Sequence, residues 1–413
     1  MFSLGIRISR RTCFGISASG SSKLFSPSPE YSQLRAVLRS FVQKEVEPQA
    51  ADFDKREQMN VPLIKRLGEL GVHGICIPEE FGGSELSAVG TVIAMEEISY
   101  SDPGLCLAAL AHSVLFVHNL AHNGTREQKL KFLPPTVSGQ LIGGLCMSEP
   151  NAGTDLFSMK TTARISEDKK SWILNGSKMW ITNGCLSESK LGDLFLVYAK
   201  TPKGGISLFL VEKGSPGFSL GQKLKDKCGM RSSNTAELVF SDCVIPIENL
   251  VGQEGKGSIP MMRNLEIERI ALAAMSLGIA RRCLDVMVKH SSERTAFGSP
   301  IAAFGQIQRH IAESYAELTA AKTYVYAVAN EINLEKPGNR IDSDGVKLVA
   351  TSMAKNVADR AIQVLGGYGY LAEYTVERLW RDSKLLEIGG GTLEAHQKNI
   401  TADLIKAVGG PKI

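Results

Sequence analysis

The sequence predicts an α+β multidomain chain: an N-terminal helical domain, a central antiparallel β-barrel or sandwich, and a C-terminal four-helix bundle. Three observations predict it. Apolar residues recur at helical spacing through residues 30–140. Short apolar runs broken by Asn-Gly pairs fill much of 141–252. Long helical patterns with short connections fill 253–413.

Bulk properties narrow the class. At about 150 residues per domain, 413 residues suit two or three domains. An apolar share of 43% suffices for a sizeable core. The apolar stretch Gly104 to Val117 is too short for a membrane span and contains His112, so no span is expected. The eight cysteines are scattered without a Cys-x-x-Cys, which fits a reducing compartment and argues against a zinc site or disulfide framework. Residues 1–29 hold Arg7, Arg10, Arg11 and Lys23, many serines and no acid, the composition of a mitochondrial transit peptide. Those four cations account for the whole formal charge of +4. The remainder is near neutral and gives no electrostatic case for nucleic acid or a membrane surface.

In chain order, Tyr31 to Glu47 places Leu34, Val37, Leu38, Phe41 and Val42 on one helical face before Pro48. A helix over Val61 to Leu70 ends at Gly71. Pro78 to Gly83 is a loop. Further helices are expected over Ala88 to Ile98, Gly104 to His122 and from Arg126. Then Trp172 to Leu174 meets Asn175-Gly176, and Lys178 to Thr182 meets Asn183-Gly184, which predicts hairpin turns. Strands are expected over Leu194 to Tyr198, Ile206 to Val211 and Ala236 to Phe240. Helices follow over Ser258 to His290, Ala303 to Leu334, Asp342 to Leu365, Glu373 to Ser383 and Thr392 to Ala407.

Several chemistries are disfavoured. No Gly-x-Gly-x-x-Gly opens a helix after a strand, and neither a Walker loop nor a Gly-x-Ser-x-Gly elbow occurs. The seven histidines lack metal-ligand spacing, so no metal is expected. The sequons at Asn123, Asn175 and Asn399 read as chance matches.

One helix carries the chemical interest. Glu266 and Glu268 interrupt an apolar run, with Arg269 beside them. Desolvating a carboxylate is costly, so a buried one is either paired or tuned as a base. Glu268 falls in the stripe Met261, Leu265, Glu268, Leu272, Met275, Ile279; Glu266 points roughly 200° away at ~100° per residue. Periodicity favours Glu268 only slightly.

Five motifs are weak alone and specific together. They are Met147-Ser148-Glu149-Pro150-Asn151-Ala152-Gly153-Thr154, Lys178-Met179-Trp180-Ile181-Thr182, Arg294-Thr295-Ala296-Phe297-Gly298, Gln363-Val364-Leu365-Gly366-Gly367, and Ile388-Gly389-Gly390-Gly391-Thr392. In this order they resemble the acyl-CoA dehydrogenase family over essentially all of the chain after residue 29. The resemblance implies FAD, oxidation of an acyl-CoA thioester to the 2-enoyl-CoA, electron-transfer flavoprotein as partner, and a homotetramer. In that reaction a base removes the α-proton while a hydride leaves the β-carbon for the flavin, and hydrogen bonds polarise the thioester carbonyl.

The family's usual base lies in a late Tyr-Glu-Gly-Thr stretch, where this chain has Gly390 in place of the glutamate. The isovaleryl-CoA and long-chain branches carry the base on the first bundle helix just before an arginine, which here is Glu268 before Arg269. By the same resemblance Met147, Ser148, Thr154, Trp180 and Thr182 would contact the flavin, with Ser148 and Thr154 also near the CoA arm. Arg294, Phe297 and Gln306, from a neighbouring subunit, and the stretch of Gln363, Gly366 and Gly367 would hold the pyrophosphate and adenine side. Thr392 and Glu394 would lie by the FAD. Gly390 N–H would polarise the carbonyl, with Glu266, Arg269 and Gly391 toward the substrate.

Two departures stand out. Gly305 occupies the usual glutamine position after Phe304, with Gln306 one place later. The last helix reads Ala395-His396-Gln397-Lys398-Asn399 where arginines are usual. Ala111-His112-Ser113, the Glu268-Arg269 pair and Lys227 to Thr235 resemble the isovaleryl-CoA branch most. That implies conversion of isovaleryl-CoA to 3-methylcrotonyl-CoA in leucine catabolism, in the mitochondrial matrix. Glycine at 390 is expected to leave room for a branched acyl end. Long straight-chain or 2-methyl-branched substrates are the alternatives within the family. A non-catalytic scaffold of the same fold is the alternative outside it.

Overall fold

The structure is a computed structural model that describes residues 22–336, 338 and 340–411. The expected leader lies mostly outside these residues. Its last part is a short helix, α1 (Ser22–Phe25), whose Phe25 ring packs edge-on against Tyr326 at 5.1 Å.

The N-terminal domain is helical, as expected. It comprises α2 (Pro29–Phe41), α3 (Glu47–Arg56), α4 (Val61–Glu69), α5 (Ala88–Ser99), α6 (Pro103–Leu110), α7 (Asn119–Asn123) and α8 (Arg126–Val137). Asn60 and Asp102 cap α4 and α6 through their side chains, and Thr125 with Gln128 forms a capping box on α8. A π-helical stretch joins α6 to α7, giving one helical run, Pro103–Asn123. By length and composition that run could cross a membrane, contrary to the sequence reading, but 89% of its most apolar window is buried inside the protein. It is a core helix, and α5 beside it is buried at every position.

The central domain is a sheet of eight strands: β1 (Gly143–Cys146), β2 (Thr162–Ile165), β3 (Ser171–Thr182), β4 (Leu194–Lys200), β5 (Ile206–Glu212), β6 (Phe218–Lys223), β7 (Thr235–Pro246) and β8 (Leu250–Val251). The order is β6-β7-β3-β2-β4-β5-β8, with β1 beside β4. Pairing is antiparallel except where β1 and the first residue of β2 meet β4 in parallel. Leu194, Leu196 and Tyr198 of β4 face the helices, while Phe195, Val197 and Ala199 face a second core with Trp172 and Phe240. Burial on both faces explains why β4 reads as a continuous apolar run.

One expectation fails here. Asn175-Gly176 is not a hairpin turn; β3 runs straight through it. The pairing with β7 slips by one residue between Leu174 and Gly176, and Gly176 takes φ 144°. Asn175 Nδ2 donates to Asp242 Oδ1 across the strands at 3.0 Å, and Asp242 N donates back to Asn175 Oδ1 at 2.8 Å. The bulge sets Ser241 and Asp242 of β7 opposite Asn175, whose amide side chain supplies hydrogen bonds that the displaced backbone loses. At Asn183-Gly184 the chain does turn, Gly184 N donating to Ile181 O at 3.0 Å.

The C-terminal bundle consists of α9 (Ser258–Glu293), α10 (Gly305–Glu331), α11 (Arg340–Leu365), α12 (Thr375–Leu386) and α13 (Leu393–Ala407). A small hairpin, β9 (Thr295–Ala296) and β10 (Ser299–Pro300), separates α9 from α10. Between Asn264 and Ala280, α9 is buried at every position except the half-buried Leu265, packed against α5, α10 and α11.

A buried ionic cluster ties the first domain to the bundle. Glu96 and Glu97 on α5 receive Arg35 from α2, at 3.1 and 2.7 Å, and Arg281 from α9, at 3.2 and 2.7 Å. Lys322 of α10 lies 2.7 Å from Glu96, and Arg39 3.0 Å from Glu97.

Candidate active site

Glu268 is 6% exposed on α9. Burial raises its carboxyl to about 7, against the opposing pull of Arg269 and Lys347. Its Oε2 has no hydrogen-bond partner among the described residues. This is a carboxylate made basic by its surroundings and left with a free lone pair.

Gly390 stands directly against it. A Cβ built at 390 would lie 3.2 Å from Glu268 Oε1 and 2.3 Å from Leu272 Cδ1, and Gly390 takes φ 67°. The left-handed backbone favours glycine, and a side chain at 390 would displace the end of Leu272. Residues 268 and 390, far apart in sequence, occupy one place. The end of the Leu272 side chain lies next to Gly390.

Around this centre are groups the sequence did not reveal. Lys347 of α11 is fully buried and donates to Gly391 O at 2.6 Å. Burial lowers its ammonium to about 8, with Glu268 holding it up. His396 Nε2 lies 3.0 Å from the same carbonyl, and its Nδ1 lies 2.5 Å from Asp344 Oδ1. Tyr198 of β4 is buried and stands close enough to Glu268 for that charge to add to burial in raising its phenol. Only a lysine and an aspartate inside an amphipathic helix could have signalled Lys347 and Asp344, and such residues usually face water.

Arg269 is 5% exposed, and its Nε is 3.1 Å from Asp344 Oδ1. Its guanidinium is held inside the bundle. Glu266 is also buried and accepts from Gly338 N at 3.2 Å.

Ser148 and β3 are tied by Met179 N donating to Ser148 O at 3.0 Å. The fully buried Lys178 bridges Met147 O at 3.0 Å and Glu149 Oε1 at 2.9 Å. Burial alone would raise the Glu149 carboxyl, but the amides of Lys160 and Thr161 with Lys178 bring it to about 2. This fixes the loop that carries Ser148; Thr154, further along, is exposed, and Thr182 is half-buried at the end of β3. Trp180 sits at a second slip between β3 and β7, at φ 59°, with its large ring 55% exposed. An apolar ring held uncovered on a rigid strand suits a flat aromatic ligand.

A second group forms elsewhere on the surface. Arg294 lies over the Tyr368 ring at 5.8 Å, joining the β9–β10 hairpin to the turn that holds Gly366 and Gly367. Phe297 is 97% exposed, and Gln306 and Gln363 are exposed as well. Among the described residues, no atom beyond the adjoining chain lies within 4 Å of a Cβ built on Gly366 or Gly367, so backbone there is open to a ligand. Thr392 caps α13 by accepting from Ala395 N at 3.3 Å, and Glu394 is exposed in its first turn. Among the described residues no group of three or more metal-ligating side chains occurs.

The acyl-CoA dehydrogenase N-terminal, middle and C-terminal domain families match residues 28–140, 144–243 and 255–405. The chain is similar to a mitochondrial isovaleryl-CoA dehydrogenase of Oryza sativa subsp. japonica, 43% identical over 395 residues and 94% of each chain. It is similar to a mitochondrial 2-methylacyl-CoA dehydrogenase of Solanum tuberosum, 41% identical over 380 residues, 91% of this chain and 90% of the relative. Among solved structures it resembles an acyl-CoA dehydrogenase of Bacillus anthracis complexed with FAD, at TM-score 0.86 and 30% identity, covering 92% of this chain and 68% of that one. Together with the uncovered indole of Trp180 and the open glycines at 366 and 367, these likenesses make FAD the cofactor. The chain belongs to the acyl-CoA dehydrogenase family and is an oxidoreductase of acyl-CoA thioesters.

Proposed function

We propose that the chain dehydrogenates a short branched acyl-CoA, isovaleryl-CoA to 3-methylcrotonyl-CoA, with Glu268 as the base. One observation carries the assignment: Glu268 Oε1 lies 3.2 Å from where a side chain at Gly390 would begin. A base from α9 thus reaches the place where most of the family puts its own.

Glu268 takes the α-proton onto its carboxylate and becomes the neutral acid. A proton affinity raised to about 7 suits that transfer near neutral pH. Gly390 N–H, free of any side chain, donates to the thioester oxygen where negative charge develops. Apolar packing by Leu272 and the walls of α9 keeps water from the proton in transit. FAD, when bound, supplies the hydride acceptor; Trp180, Thr182, Ser148 and Met147 would hold its ring system. Arg294, Phe297, Gln306 and the 363–367 stretch would hold its other half on a neighbouring subunit of a homotetramer. Exposure of 97% at Phe297 supports a surface that another chain covers. Electron-transfer flavoprotein is the proposed acceptor, leucine catabolism the pathway and the mitochondrial matrix the compartment, the last supported by the mitochondrial relative.

The rival is a 2-methyl-branched substrate, which the Solanum tuberosum relative's name favours. Purified protein should show a higher kcat/KM on isovaleryl-CoA than on 2-methylbutyryl-, butyryl- or palmitoyl-CoA. A preference for 2-methylbutyryl-CoA would transfer the assignment to the rival, and a preference for palmitoyl-CoA would remove both.

A further inference from the structure

Gly389, Gly390 and Gly391 make a turn with no side chain of its own, and φ is positive at two of them, 67° and 101°. Such a backbone is free to wander unless something outside it holds it. Here two buried donors meet on one of its oxygens. Lys347 Nζ reaches Gly391 O at 2.6 Å and His396 Nε2 reaches it at 3.0 Å. A Cβ on Gly391 would come within 2.9 Å of the His396 ring, so the imidazole lies flush against the glycine.

The holders are themselves held. Asp344 Oδ1 lies 2.5 Å from His396 Nδ1 and 3.1 Å from Arg269 Nε. Asp344 and Lys347, three apart on α11, share a helix face and are both fully buried. Lys347 also bears on the base: its charge favours the Glu268 carboxylate against burial. The charged and titratable groups facing this pair are Arg269 and Glu266 on α9, Asp344 and Arg340 on α11, Glu387 after α12, His396 on α13 and Tyr198 on β4.

We propose that Lys347, supported by His396 and Asp344, is a positioning residue that pins the three-glycine turn through the Gly391 carbonyl, next to the Gly390 that stands against Glu268. One side chain then sets the spacing between the polarising N–H and the base. This rests on the reading of Glu268 as the base.

The test is single-turnover flavin bleaching by isovaleryl-CoA across pH, with the thermal midpoint measured alongside. Lys347→Met should slow the high-pH plateau by about tenfold to a hundredfold, the cost of a loosened reaction geometry. It should also move the acid limb up by about one pH unit, because a cation near the carboxylate has gone. Infrared difference spectra against Glu268→Gln should show the same upward move in the Glu268 carboxyl itself. Lys347→Arg should return the limb toward the parent and leave the plateau slow, since it restores charge without the short contact. A Lys347→Met protein with the parent's limb and plateau overturns the proposal, whatever its thermal midpoint. If Lys347→Met does not fold, His396→Leu and Lys347→Arg carry the test. His396→Leu should slow the plateau with the limb unmoved, and parental plateaus in both would overturn the proposal. Bleaching that survives Glu268→Gln would instead remove the base assignment beneath it.

Discussion

Two buried acidic sites in this protein have opposite fates. At Glu96 and Glu97, burial alone would raise both carboxyls. Lys322, Arg35 and Arg281 outweigh it at Glu96, holding that group well below the ordinary range, and Arg281 and Arg35 bring Glu97 to about 2. Tyr326 Oη adds a hydrogen bond to Glu96 at 2.6 Å. At Glu268 the cations are fewer and make no hydrogen bond to the carboxylate; burial wins and the carboxyl rises to about 7. Both sites involve α9, the first through Arg281 and the second through Glu268 itself. Desolvation is present at both sites, and the number of aligned donors decides whether the carboxyl is held ionised or pushed up.

The largest effect that tests this contrast is on chemistry. Glu268→Gln should keep the flavin and lower the bleaching rate by roughly a thousandfold or more, the upper range for loss of a general base. Full activity in that variant would pass the role to another acid and end the contrast. Next comes the clamp. Glu97→Gln leaves Arg39 without a carboxylate and Arg281 and Arg35 with Glu96 alone, and should destabilise the fold by about 3 kcal/mol at neutral pH. Because the folded carboxyl titrates near 2, below its ordinary 4.5, its stabilisation is present above 4.5 and is lost as pH falls through 2. The gap between parent and variant in thermal midpoint should therefore narrow in acid. The smallest effect has the reverse sign. Glu268 holds its proton from 4.5 up to about 7 in the folded protein, so its favourable share is full below 4.5 and lost as pH rises through 7. Glu268→Gln, which does not ionise, should be more stable than the parent at pH 8 by on the order of 1–3 kcal/mol, with no difference near pH 4. Equal midpoints at pH 8 would mean that Lys347 compensates Glu268 more fully than described above.

Much of the domain plan was legible because each region has one dominant period. Helix α10 was expected over Ala303 to Leu334 and is Gly305–Glu331. The strand expected at Ile206 to Val211 is β5, one residue longer. The hairpin at Asn175-Gly176 fails because the irregularity there belongs to the partner strand: Ser241 and Asp242 of β7 oppose Asn175, which only the pairing reveals. Periodicity could not separate Glu266 from Glu268, since α9 is packed on almost all sides there and both are buried. Family resemblance pointed to Glu268, and the approach of Gly390 supplies a spatial reason. Lys347 and Asp344 were invisible for a plain cause: in a helix of mixed composition, the burial of a charge depends on what a distant segment, here 391–396, brings to it.

Gly390 also bears on how such enzymes could change over time. With Leu272 Cδ1 2.3 Å from a would-be Cβ and φ at 67°, a glutamate restored at 390 would meet Leu272 and Glu268 together. It would put a second carboxyl beside the first. On the proposed reading of Glu268, returning the base to 390 thus calls for changes on α9 as well, at the acid and at the leucine that a side chain there would displace.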